Sequence, residues 1–384
     1  MSDTQKHTKP NVPDLRFPGF EGEWARCTLG EIGEPYIGLT YSPADVVNEG
    51  GTIVFRSSNI QNGEIDYSDI VRVNKKIKDS IITRKDDLLI CARNGSPRLI
   101  GKNALLKDAD AGQTFGAFML VFRSNDNHFV HQLLSTKGYY SQVSENLGAR
   151  INQITTSNIK DFEFYFPKSI AERNKIAVFL NLIDERISIQ NKVIERYQSL
   201  IRALYREMMP HNDVEVVSLG SLVKVGKGKQ VNGELLSDEG PFYVMNGGIT
   251  PSGYFDDFNT PPETISISEG GNSCGYVQFN DKPFWSGGHC YTLLEPKTDV
   301  AHYKYLFHYL KSQQDEIMAL RIGSGLPNIQ KKDIEKFPVR LPRLEVQVQL
   351  AELFEAFCQK ERTETDYQDL LCKQKHYILA SVLI

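Results

Sequence analysis

Two stretches of this chain, residues 168–209 and 343–384, run for 42 residues each without a glycine or a proline. In the first, Ile176, Leu180, Ile183, Ile187, Gln190, Ile194, Tyr197, Ile201, Leu204 and Met208 recur at alternating steps of four and three. Nine of these ten are apolar or aromatic, the signature of a heptad seam and not merely of one amphipathic face. Ser169 and Glu172 predict a capping box at its start, and Pro210 stops it. The second run carries a thinner seam through Leu350, Phe354, Phe357, Leu371, Ile378 and Val382. Both turn polar near their centres, at "QNK" (190–192) and "QKERTETD" (359–366). A helix of this length spans about 63 Å, enough for one to carry the chain out and the other to carry it back. Antiparallel pairing would place the two polar centres opposite each other as a register-fixing layer; the alternative is that each helix folds onto its own domain.

Each run is preceded by the same punctuation. "GARINQITTSNIKDFEFYFP" (148–167) aligns with "GSGLPNIQKKDIEKFPVRLP" (323–342), sharing Gly148/Gly323, Ile154/Ile329, Ile159/Ile334, Phe162/Phe337 and Pro167/Pro342. Chance would supply roughly one identity in twenty, so an internal repeat organises the chain. Upstream, short strand-like runs recur in matching order: "GTIVFRSSNI", "DDLLICAR", "AFMLVFRS" and "FEFYFP" in the first copy, "GPFYVMNGG", "ETISISEG", "CYTLLEP" and "FPVRLP" in the second. A stretch of helical period sits late in each, at "HFVHQLLSTKGYYSQVSENLG" and "AHYKYLFHYLKSQQDEIMALRIG", and "CTLGEI" and "VSLGSL" open the two copies. The expected fold class is α+β: two similar mixed α/β domains separated by two long helices forming an antiparallel coiled coil, a pseudo-two-fold repeat. The expected boundaries are a flexible tail at 1–15, a first domain at 16–167, a central helix at 168–210, a second domain at 211–342 and a C-terminal helix at 343–384.

A chain of 384 residues with 40% hydrophobic and 24% charged content has the composition of an ordinary globular protein with room for two or three cores. No run of 18 apolar residues suits a membrane span, and the polar start "MSDTQKHTKPNVPD" lacks a signal core, so a cytoplasmic location is expected. Six cysteines without a C-x-x-C pair suggest reduced, mostly buried thiols; His289 and Cys290 with Cys274 fit no zinc spacing. A net charge of −4 argues against a simple nucleic-acid coat but leaves room for local basic patches.

"WARCTLGEIGE" (24–34), the paired "NIKDFEFYFP" and "DIEKFPVRLP", and the helix start "AERNKIAVFLNLIDERI" (171–187) with its echo "VQVQLAELFEAF" (346–357) resemble the DNA-specificity (S) subunits of type I restriction–modification systems. The likeness runs from about Phe17 to the end of the chain and rests on the tandem architecture more than on any one motif. It implies two target recognition domains, each reading one half of a split double-stranded DNA sequence, with the helical rod setting the spacer. It also implies partners, two methylation subunits along the helices and restriction–translocation subunits beyond them, and no catalysis in this chain. S-adenosylmethionine, ATP and Mg²⁺ are then expected on the partner subunits, with no cofactor and no metal here.

The residues themselves supply no enzyme. "GSPRLIGKN" (95–103) has five residues between its glycines and Asn103 where a P-loop needs a hydroxyl, and "GSLVKVGKG" (220–228) fails similarly. "NTPPE" (259–263) resembles the Asn-Pro-Pro-aromatic stretch of adenine methyltransferases but puts Glu263 where a flipped base would stack. No nucleophile triad or carboxylate pair can be argued from spacing.

Loop chemistry stands out instead. Arg93, Arg98 and Lys102 lie in an acid-free stretch with Asn94 and Ser96 between them. Arginine suits guanine, asparagine and glutamine suit adenine, and lysine and serine suit phosphate. The matching place in the second copy offers Asn272 and Ser273, with Lys227, Lys229 and Gln230 as a separate source of cations and donors. Arg56, Ser57 and Asn59 match Asn246 and Gly248; Gln113 and Thr114 correspond loosely to Ser286 and His289; Arg150, Asn152 and Gln153 pair with Ser324 and Asn328. The bland reading of each is a solvated hairpin or a structural turn. Phe179, Leu182, Ile189, Val193 and Leu200, off the seam of the first helix, suggest a protein interface. The competing functions are a stand-alone DNA-modifying enzyme and a purely structural adaptor.

Overall fold

The computed structural model describes residues 11–147, 152–209, 214–323, 325 and 327–384. Gly148 and Pro210, used above to define the repeat and the helix end, lie outside the described residues. The chain divides into two compact units, Met1–Asn191 with Tyr367–Ile384, and Lys192–Asp366. The division cuts both long helices near their middles, so each unit owns half of each.

In the first unit, an antiparallel sheet runs in the order Glu34–Ile37, Met119–Arg123, Leu88–Cys91, Asn103–Leu105. Leu88 to Cys91 are all buried, as a continuous apolar run on a central strand with both faces covered should be. A second sheet is built around Thr52–Phe55, to which Thr114–Phe115 adds a parallel neighbour. The opening strand Ala25–Thr28 pairs antiparallel with Glu163–Phe166, the strand that feeds the first long helix. The second unit repeats this plan. Lys224–Lys227, Cys290–Leu294, Thr264–Ser268 and Val277–Asn280 form its antiparallel sheet. Phe242–Met245 takes Trp285–Ser286 as a parallel neighbour, and Glu215–Ser218 pairs with Pro338–Leu341. The echoing segments therefore do the same job twice: each returns the chain to its domain's first strand before the helix leaves.

One residue type is demanded twice at the same crossing. A Cβ on Gly38 would overlap the carbonyl oxygens of Gly116 and Phe115; on Gly228 it would overlap those of Gly287 and Ser286. Only glycine lets these backbones approach so closely.

The expected single late helix in each domain is broken into two. Asn127–Leu133 and Lys137–Asn146 are separated at Thr136, whose hydroxyl donates to the Leu133 carbonyl (2.7 Å) and accepts from Tyr139 N–H (3.3 Å), closing one helix and capping the next. In the second unit Tyr303–Ser312 and Gln314–Ala319 meet at Gln313.

The long helices are Ile170–Met208 and Leu344–Val382. In the first unit they run antiparallel, with Asp184 paired to Lys375 and Asn191 bonded to Gln368. In the second, Gln198 donates to Glu361 (3.0 Å) and Tyr205 meets Phe354 edge-on at 4.8 Å. Within each unit the partners step seven residues forward on one helix and seven back on the other, the heptad geometry of a coiled coil. The expected facing of the two polar centres is not found: Asn191 bonds Gln368, beyond 359–366, and Glu361 is bonded by Gln198, beyond 190–192. The seam departs from expectation at its end: Met208 is exposed while Tyr205 and Met209 are buried. A helix of 3.6 residues per turn drifts off a 3.5 repeat, and here the drift brings Tyr205 onto the domain. The expected capping box is half formed. Glu172 N–H bonds the Ser169 hydroxyl, but its buried carboxylate takes a bidentate pair from Arg16 (2.7 and 2.8 Å). The segment expected as a tail is tied down before residue 15, since Asn11 accepts from Trp24 N–H and Leu15 N–H donates to Ser381.

Each core reaches into the helices. Trp24, Phe129 and Phe166 pack with Ile176, Leu180, Leu379 and Val382 in the first unit; Tyr305 and Leu310 pack with Tyr205, Met209, Leu350 and Phe354 in the second. The sixth residue of each late helix is buried and polar. Gln132 donates to Asn181 (2.8 Å) and Asp184 (2.9 Å). His308 sits between Tyr205 Oη (2.8 Å from Nδ1) and Glu355 (3.1 Å from Nε2). The neutral ring satisfies both partners, the tyrosine donating to Nδ1 and Nε2–H donating to the carboxylate. Burial pushes the His308 pKa down despite Glu355. The unfolded chain therefore takes up this proton first as pH falls below about 6.5. The expected outcome is that His308→Gln, which installs the first copy's residue, flattens the loss of urea stability between about pH 6.5 and 5.5 by up to about 1.4 kcal/mol; an unchanged pH slope refutes it.

Candidate nucleic-acid interface

In both units the strand at the centre of the sheet ends in a lip built on backbone bonds. In the first, Ile154 N–H donates to the Ala92 carbonyl (2.9 Å), Arg93 bridges Gln153, and Asn94 N–H reaches the Asn152 carbonyl (3.3 Å). In the second, Ile329 N–H donates to the Glu269 carbonyl (2.9 Å) and Gly270 bridges Asn328. Arg93 thus corresponds to Gly270, and Gln153 to Asn328.

The first lip gathers several expected residues. Asn94 donates to the Ser57 hydroxyl (3.0 Å) and accepts from Ser96 N–H (3.0 Å), and Asn152 donates to the Gly95 carbonyl (3.1 Å). These amides fix the loop. Arg93 is exposed, its guanidinium lying 4.9 Å from the centroid of the Phe118 ring. Arg98 is exposed on the turn Pro97–Leu99, and Lys102, half-buried, gives its carbonyl to Cys91 N–H.

The second lip has a carboxylate at its centre. Glu269, 7% exposed, takes Lys227 (2.6 Å) and Tyr291 (3.0 Å) on one oxygen and His289 Nδ1 (3.2 Å) on the other. Burial alone would raise this carboxyl, but the hydrogen bonds from Lys227 and Tyr291 and the lysine's charge hold it below its ordinary value. Asn246 accepts from His289 N–H (3.2 Å), and Gly248 follows it, half-buried. Asn272 and Ser273 occupy the adjoining turn Gly271–Ser273; Lys229 and Gln230 are exposed beyond Lys227.

Four expected contacts are corrected. Asn59 is buried and spends its amide on Arg56 N–H and the carbonyls of Asp66 and Asp69. Thr114 is buried and donates to the Ile81 carbonyl, while Gln113 accepts from Ile53 N–H. Ser286, 1% exposed, donates to the Cys290 carbonyl. The three buried side chains satisfy backbone that would otherwise be stranded in the interior and are not presented for binding, while half-buried Gln113 spends its amide oxygen the same way. Arg56 is half-buried and paired with Asp69 (2.8 Å). The backbone also corrects a correspondence: His289 matches Phe118, not Gln113 or Thr114, because Ala92 N–H and Glu269 N–H donate to their respective carbonyls (2.9 Å each). Arg150 and Ser324 lie outside the described residues.

Among the described residues, no group of three or more His, Cys, Asp or Glu is placed to hold a metal. Burial pushes the Cys91 and Cys290 thiols up to about 11, which keeps them unreactive.

A family model, the type I restriction modification DNA specificity domain, matches residues 21–196 and again 211–370. The chain belongs to this family. Among curated relatives, a protein of Mycoplasma pneumoniae named as a type I specificity subunit is 39% identical over 124 residues, 32% of this chain and 33% of that one. The EcoKI specificity subunit of Escherichia coli K12 is 26% identical over 187 residues, 47% of this chain and 40% of its own. The chain spans less than half the length of either relative. The crystal structure of a type I S subunit from M. genitalium shares the fold at a TM-score of 0.66 and 20% identity, covering 97% of this chain and 99% of that one.

Within the specificity-family fold, three site residues had escaped sequence reasoning: Phe118, Glu269 and Tyr291. Glu269 had a signal, an acid closing the strand "TISIS" where the first copy closes with Ala92. The network makes one outcome testable. Because a carboxylate can only accept, Glu269 selects the His289 tautomer protonated at Nδ1. Glu269→Gln is expected to shift that ring toward the Nε2–H tautomer, read from its ¹⁵N chemical shifts; an unchanged tautomer ratio would show that Glu269 does not orient it.

Proposed function

We propose that this chain is the non-catalytic DNA-recognition subunit of a type I restriction–modification complex, each unit reading one half of a bipartite target. One observation carries the proposal: an identical backbone lip recurs in both units while its side chains differ, Arg93 and Phe118 in one and Glu269, Lys227 and His289 in the other. Two frames with two chemistries suit two different half-sequences. Arg93 and Arg98 are the donors for guanine in the first, and Lys229, Asn272 and Asn328 face the second, with Lys227 held by Glu269. Residues 16–167 and 211–342 are the target recognition domains, and the helices set the spacer. The complex works in the cytoplasm, where methylation subunits supply S-adenosylmethionine chemistry and restriction–translocation subunits supply ATP and Mg²⁺.

The docking surface for the methylation subunits includes a stripe of the first long helix. Val178, Leu182 and Ile189 are 59–62% exposed and recur at helical spacing. Phe179, expected there, instead packs edge-on against Phe17 at 5.6 Å. Replacing Leu182 and Ile189 together by lysine should abolish co-purification with the methylation subunits without lowering the thermal midpoint; retained assembly would move the interface elsewhere.

Mapping methylated adenines across the genome, with and without the chain, should reveal one split motif that depends on it; the absence of such a motif would defeat the proposal. Given the motif, Arg98→Ala should weaken binding or relax specificity about tenfold in one half only, the worth of one good base contact. Equal weakening of both halves would contradict two independent readers.

A further inference from the structure

Phe118 and His289 hold one position in the two copies. Gly116 N–H donates to the Phe55 carbonyl and Gly287 N–H to the Met245 carbonyl, both at about the strand crossing, and the rings stand two residues further on. The four residues from each glycine repeat one burial pattern: buried, half-buried, exposed, buried. Phe118 is 57% exposed, and the His289 side chain 63%. A single exposed phenylalanine is ordinary on a protein surface. This one is held: its carbonyl accepts both Ala92 N–H and Arg93 N–H (2.9 Å each), and the Arg93 guanidinium covers the ring. In its counterpart the ring is held through Glu269, and the His289 backbone N–H through Asn246. A planar group fixed beside the loops of both lips is positioned to meet the same feature of a ligand twice.

Resting on the DNA-recognition function proposed above, we infer that Phe118 is a specificity-determining residue that packs on the C5-methyl group of a thymine in the half-site read by the first unit. The argument is one of chemistry. Ring carbon atoms offer neither donor nor acceptor, and the thymine methyl is the apolar group that unmodified base pairs present in the major groove. Arg93, held against the ring, is the polar neighbour suited to guanine O6 and N7 at an adjacent step. The second copy makes the opposite choice at the same position. With Nδ1 of His289 engaged by Glu269, its Nε2 faces a hydrogen-bonding base edge instead of a methyl group.

The test uses the full chain assembled with its methylation subunits and duplexes carrying the mapped target. Single thymines in each half are replaced by deoxyuridine, which removes only the methyl group. For the wild-type chain, one such replacement in one half should weaken binding about fourfold, the worth of one methyl group removed from water. Phe118→Ala should abolish that response while leaving every replacement in the other half as it was, and Phe118→Leu should restore it in part, since leucine still offers an apolar surface. The other half-site serves as the folding control. If the bipartite target is bound and Phe118→Ala responds to deoxyuridine as the wild type does, the inference is wrong while the recognition function stands. If no bipartite target exists, both fall together.

Discussion

The structure depends on making one apolar stripe serve two contacts. Ile176 and Leu180 on the first long helix, with Leu379 and Val382 on the second, close the core of the first unit and also lie in the antiparallel helix pair. Tyr205 and Met209, with Leu350 and Phe354, do the same in the second. The first domain cannot complete its core from its own consecutive segment, whereas the second closes within one, Lys192–Asp366. The first recruits Leu379 and Val382 from the far end of the chain and the second the helix segments that flank it, so in each unit helix pairing and domain packing share residues. Part-buried polar partners such as Asp184–Lys375 and Asn191–Gln368 then penalise a slipped register, because a slip would leave them unpaired.

On that frame, the two domains keep the backbone and vary the chemistry. Gly38 and Gly228 fix the same crossing, Ile154 and Ile329 donate to the same lip, and Gln132 and His308 anchor the same late helix to the rod by different atoms. What changes is concentrated at the lip, where Ala92 becomes Glu269 and Phe118 becomes His289. A frame secured by backbone bonds tolerates such exchanges, since no exchanged side chain is needed to hold it.

The long helices, the tandem repeat and the matching order of strand-like runs along the two copies were legible in the sequence, because heptad spacing and Gly/Pro punctuation are local signals. The seam end at Met208 was misplaced since helical drift accumulates and Tyr205 is drawn to His308, a partner 103 residues away. The site was legible only as segments. Residue type nominated Asn59, Thr114 and Ser286 as readers, yet each is consumed by a buried backbone group that only the folded chain brings near. Conversely Phe118 carries no polar atom and escaped a search framed around hydrogen bonds. Burial, not residue type, separates readers from scaffold, and burial is a property of long-range contacts.

The charge of the chain follows the same division. Two cations near the lips are already spent: Arg56 on Asp69 and Lys227 on Glu269. With a net charge of −4 overall, a surface so neutralised is a poor phosphate binder, and non-specific affinity for DNA scales with the number of phosphates neutralised. In the proposed complex, most of that electrostatic work falls to the partner subunits. A reader that clings weakly to arbitrary sequence gains in discrimination, because the contacts that remain to it are those made to base edges. The modest charge that argued against a DNA coat in the sequence is thus what a discriminating subunit within a larger clamp requires.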